Sequence, residues 1–129
     1  MFLFINTSEH KELTFVLAEG PTLRQFKTEL AFNENYKTNE YLEKFLKHEG
    51  VRVSELTKII VCSGPGSFTG IRVGMSLAQA LGFALKIPVV AIKQNKIPDD
   101  LRKLTSLKTG KTVVAEYGRK PNITIAKQK

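Results

Sequence analysis

The segment from residue 63 to residue 85, SGPGSFTGIRVGMSLAQALGFAL, concentrates the residues of this chain whose types and spacing suit chemistry. Glycine lets backbone N–H groups approach an anion at the start of a helix. Gly64, Gly66, Ser67, Phe68 and Thr69, with Arg72 one turn further on, are therefore a candidate anion site. Spacing excludes the two best-known phosphate loops. A Walker A loop sets lysine and then serine or threonine after its last glycine, whereas Gly70 is followed by Ile71 and Arg72. The dinucleotide fingerprint needs its third glycine where Thr69 stands. The single cysteine, Cys62, lies in the apolar run IIVC and reads as a small buried hydrophobe. His10 and His48 stand apart from each other and read as solvated side chains.

The same segment repeats a small residue every fourth position: Gly66, Gly70, Gly74, Ala78 and Gly82. Each glycine inside a helix gives up about 1 kcal/mol of propensity relative to alanine, so the pattern implies that something approaches closely. Residues four apart share a helical face, and a face of small side chains admits another backbone. Spacing alone divides evenly between packing on the chain's own sheet and packing on a partner.

The elements that position this segment follow from periodicity. FLFIN (2–6) is a short buried strand; Leu13, Phe15 and Leu17 alternate with Thr14, Val16 and Ala18 as in a half-buried strand; TLRQFKTEL is a weaker third. Tyr41, Leu42, Phe45 and Leu46 recur at helical spacing, placing a first helix over roughly residues 34–48, with Gly50 ending it. KIIVC (58–62) is a strand, Ser67 an N-cap, residues 68–85 a second helix and PVVAI (88–92) a fifth strand. Strand, helix and strand joined this closely imply a parallel crossover. The order βββαβαβ is an α/β fold with a mixed five-stranded sheet. Beyond Lys93, Pro98-Asp99-Asp100 opens a short helix through LRKL, and VVAEY (113–117) reads as a last strand.

A chain of 129 residues is the size of one domain. No segment reads as a bilayer span, and MFLFINTSEH has neither the basic lead-in nor the cleavage site of a signal peptide, so the expected compartment is the cytoplasm. The net charge of +8 is uneven. Residues 1–62 hold eight basic and nine acidic side chains, and residues 63–129 hold twelve and three. The basic half makes RNA or an acidic protein a candidate partner, although KQNK, RKLTSLKTGK and KQK carry no aromatic on which a base could stack, which favours a solvated tail.

SGPGSFTGIRVGMSLAQALGFALKIPVVAI resembles the signature segment of the TsaB (YeaZ) family; FLFINTSEHKELTFVLAEG resembles its first two strands and TNEYLEKFLKHEGVRVSEL its first helix. The resemblance implies one lobe of the actin-like ATPase (ribonuclease H-like) fold over residues 1–93, followed by a basic extension over 94–129. It implies a non-catalytic subunit that supports threonylcarbamoylation of adenosine 37 in tRNA by pairing with a TsaD-like catalytic subunit, alongside a TsaE-like ATPase, with a homodimer in isolation. No cofactor of its own is implied, ATP and metal residing on the partner subunits. Tyr41, Phe45, Gly70, Gly74, Met75, Ala78 and Gly82 are then the candidate interface residues.

TsaD-like enzymes carry a metal-binding H-x-x-x-H on the helix that matches residues 34–48, and NENYKTNEYLEK contains no histidine. The superfold's first strand ends in an aspartate that helps hold hydrated magnesium, where this chain has Asn6. Thr7 and Ser8 read as turn residues. Family members continue after PVVAI into a second lobe, of which only EYGRKPNIT weakly resembles the end; the expectation is a shortened form lacking most of that lobe. The rivals are a nucleotide-binding or glycopeptidase-like enzyme of the superfold and an RNA-binding accessory acting through the basic tail.

Overall fold

A computed structural model describes residues 1–9, 11–30 and 34–106, so His10, the strand expected at 113–117 and most of the basic tail lie outside it. Its five strands are β1 (Phe2–Asn6), β2 (Glu12–Glu19), β3 (Thr22–Glu29), β4 (Lys58–Gly64) and β5 (Val89–Lys93). They form one mixed sheet in the order β3-β2-β1-β4-β5. Hairpins join β1, β2 and β3 antiparallel, whereas β4 and β5 run parallel to β1. The two helices are α1 (Thr38–Glu49) and α2 (Phe68–Leu85). This is the expected α/β architecture.

Local signals set most boundaries. The Ser67 hydroxyl accepts from the Gly70 N–H and caps α2. Gly50 takes φ 70° at the end of α1, and its N–H meets the Leu46 and Lys47 carbonyls. The first helix begins later than its periodicity implies, because residues Asn35–Lys37 wind as a 3-10 turn ahead of it. Strand β4 runs two residues past the expected KIIVC, to Gly64.

The sheet is buried on both faces. Leu3, Ile5, Leu13, Phe15, Ile59 and Val61 meet the helices. Phe26 of β3 joins Phe15 and Phe45 at centroid distances of 6.3 and 5.7 Å, with Tyr41 at 5.8 Å from Phe26. These rings fasten α1 to the sheet. On the second face, Phe2, Phe4, Val16, Ala18, Ile60 and Ile92 cluster with Leu104, flanked by Ile97 and Leu101. Strand β2 is therefore buried on both sides and not half-buried as its alternation implies. Nor is residue 93 a break in packing. After the 3-10 turn Gln94–Lys96, Asp100 receives the Arg102 N–H at 3.1 Å and opens a second 3-10 stretch, Leu101–Ser106, which lays Leu101 and Leu104 on the sheet.

Candidate functional site: the α1–α2 face and the glycine turn

The turn that follows β4 meets the loop that follows β1. The Ser67 N–H donates to the Ser8 carbonyl at 2.7 Å, and the Thr7 hydroxyl donates to the Gly70 carbonyl. A Cβ added at Gly66 would strike the Ser8 carbonyl, at Gly70 the Thr7 carbonyl and at Gly74 the Thr7 hydroxyl. Further along the helix, a Cβ at Gly82 would strike the Val89 side chain. The missing side chains let the glycine turn and α2 lie directly on Thr7, Ser8 and Val89.

This corrects the expected interface. Gly70, Gly74, Met75, Ala78 and Gly82 are buried against β1, β4 and β5, Phe45 is buried in the aromatic cluster, and Tyr41 is half-buried against Phe26. None of the five α2 positions offers a surface to another molecule. On length and composition α2 is also long and apolar enough to cross a membrane, contrary to the reading of the sequence, but its glycine face is committed to the sheet.

At the expected anion site, part of the donor set is already engaged within the chain. Among the backbone N–H groups of Ser67, Phe68 and Thr69 at the start of α2, that of Ser67 is taken by the Ser8 carbonyl. Arg72 is drawn over the Phe68 ring, 5.8 Å from its centroid. Gly64, at φ 100°, precedes a cis bond to Pro65 and leads the chain into the turn. Asn6, at the position where the resemblance expects a magnesium-holding aspartate, is buried, and both its amide oxygen and its amide nitrogen make hydrogen bonds. Its Oδ1 accepts from the Ser8 N–H at 3.0 Å, and its Nδ2 donates to Gln94 Oε1 at 3.3 Å. A neutral amide whose oxygen already accepts from Ser8 supplies no charge to balance a magnesium–nucleotide group. Beside it, burial pushes the Cys62 thiol above its usual range, opposed by the hydrogen bond with Ser8. Among the described residues, no three His, Cys, Asp or Glu side chains gather.

What remains open is the outer side of the two helices. One groove of about 510 Å³ runs between Tyr36, Asn39, Thr69, Arg72, Val73, Ser76, Leu77 and Ala80. A second, of about 650 Å³, shares Asn39 and Leu77 and continues along Leu42, Leu46, Val51, Val53 and Leu81, rimmed by Glu40, Glu43, Lys47 and Arg52. Phe83 lies seven residues beyond Ser76, on the same side of α2, and is 87% exposed; Tyr36 is 72% exposed. Ser76, Ala80 and Ala84 are exposed and form a second stripe of small residues. That stripe was legible in the sequence at the same four-residue spacing.

A model of the family described as "TsaD: tRNA N6-adenosine threonylcarbamoyltransferase" matches residues 33–97, half of the chain. The chain belongs to this family. Within it, the similarity is to TsaB (YeaZ) members. The tRNA threonylcarbamoyladenosine biosynthesis protein TsaB of Bacillus subtilis (strain 168) is 32% identical over 90 residues, covering 70% of this chain and 39% of that protein. The protein of the same name from Haemophilus influenzae is 37% identical over 51 residues, covering 40% of this chain and 22% of that one. YeaZ from Pseudomonas aeruginosa superimposes with a TM-score of 0.66 at 26% identity, over 71% of this chain and 43% of that structure. This TsaB-like chain thus shares the actin-like fold of its relatives and spans about two fifths of the length of the Bacillus subtilis and Pseudomonas aeruginosa proteins.

Proposed function

We propose that this chain is a non-catalytic TsaB-like subunit in the threonylcarbamoylation of adenosine 37 of tRNA, and that it engages a TsaD-like catalytic subunit through the outer face of α1 and α2. The observation that carries this reading is the pair of adjoining grooves between the helices, with Phe83 and the Ser76, Ala80 and Ala84 stripe beside them. Exposed aromatics next to small residues let two helices approach closely and supply a large contact area. The Glu40 and Glu43 carboxylates and the Lys47 and Arg52 cations rim the apolar strip, an arrangement that sets orientation. Without that partner, a second copy of the chain pairs on the same face. ATP and metal are supplied by the partner subunits, a reading supported by the engaged Asn6 amide. The compartment is then the one that holds the tRNA, the cytoplasm.

Co-purification with a TsaD-like subunit tests this. Ala80→Arg and Phe83→Asp change exposed positions, so each should weaken binding by at least about tenfold while moving stability by no more than roughly 0.5 kcal/mol. Binding that survives both substitutions, in variants that melt like the parent, would place the partner elsewhere.

A further inference from the structure

The Gln94 carboxamide turns back from the end of β5 onto the ends of β1 and β4. Its Oε1 meets three buried donors: the Ser8 hydroxyl at 2.8 Å, the Cys62 thiol at 3.2 Å and the Asn6 Nδ2 at 3.3 Å. The orientation of both amides follows from a proton that cannot move. The Ser8 backbone N–H points at Asn6, so the Asn6 oxygen must face it; Nδ2 then faces Gln94, which must present its oxygen in return. The Ser8 hydroxyl lies between the Asn6 and Gln94 oxygens and donates its one proton to either. These three groups in contact with the Gln94 oxygen are neutral and able to donate, a setting that suits a carbonyl oxygen.

Downstream of this contact, Ile97, Leu101 and Leu104 lie on the second face of the sheet with Phe4, Ile60 and Ile92. Asn6 and Cys62 alternate onto that same face along β1 and β4. The polar contact and the apolar cover are therefore continuous. We propose that Asn6, Ser8 and Cys62 form a receptor for a carboxamide oxygen, that Gln94 fills it in cis, and that this occupancy locks the 94–106 segment across the second face of the sheet.

Cys62 is the chain's only cysteine and is fully buried beneath the lock, so its reaction with a thiol reagent reads the opening. Methyl methanethiosulfonate suits the purpose, since it carries no amide of its own. In the full chain, Gln94→Ala should label about tenfold faster than the parent, the factor expected when one buried hydrogen-bonded group is lost. Added acetamide, which matches the deleted group, should slow labelling of Gln94→Ala and leave the parent unchanged. Gln94→Met keeps length and bulk but has no oxygen, and should label as fast as Gln94→Ala; it also carries the test if the alanine variant does not fold. Parent-like protection in Gln94→Met would show that packing alone holds the segment and would overturn the proposal. Fast labelling that acetamide does not slow would overturn the receptor.

Discussion

At Gly74 the direction of a stability change reports which way the residue faces. On an exposed helical surface, glycine to alanine stabilises by about 1 kcal/mol. Here the added methyl would run into the Thr7 hydroxyl, which is itself buried and bonded to the Gly70 carbonyl. Gly74→Ala should therefore destabilise, by about 1–3 kcal/mol, as a lowered urea midpoint. Thr7→Ala removes the atom that is struck, so the double variant should lose less than the sum of the single losses, by more than about 0.5 kcal/mol. A stabilising Gly74→Ala would return this residue to the partner-facing role that its spacing alone allows.

Elements in this chain are bounded by short-range chemistry wherever a boundary was legible. Ser67 and Gly50 act through bonds to residues within four positions, so the sequence carries the whole signal. Ser67→Ala removes the side-chain bond to the Gly70 N–H and leaves the Ser67 N–H free to keep its bond to Ser8. The expected loss is about 1 kcal/mol, measured by denaturant unfolding. The start of α1 was less legible. Residues 35–37 are compatible with helix, and their 3-10 winding is held by tertiary neighbours, α2 among them. The direction of the α2 glycine face was not legible at all. It depends on which strand end lies under the helix, and no periodicity records that.

In the molecule as a whole, the second sheet face is closed by residues with almost no regular pattern. Leu104 is 1% exposed although it follows β5 by eleven residues. Leu104→Ala should cost about 2–5 kcal/mol, as a core truncation does, and should appear as a lowered melting temperature. A loss below about 0.5 kcal/mol, the size of a surface change, would detach the 94–106 segment from the core. The sequence signal fades after Lys93 because short 3-10 turns lack a long apolar period; Pro98-Asp99-Asp100, as the opener of LRKL, announced the element.

The sequence by itself determined the order of strands and helices, the caps, the absence of the two familiar phosphate loops and, through the GPGSFTGIRVG segment, the family. All of these are local patterns or contiguous motifs. Tertiary structure decided the rest. It turned the glycine stripe inward onto Thr7, Ser8 and Val89, left Ser76, Ala80 and Phe83 outside, and brought Gln94 to Asn6, Ser8 and Cys62. Side chains up to 88 residues apart meet there only because parallel strands end side by side, a relation set by the sheet and not by any one segment of the chain.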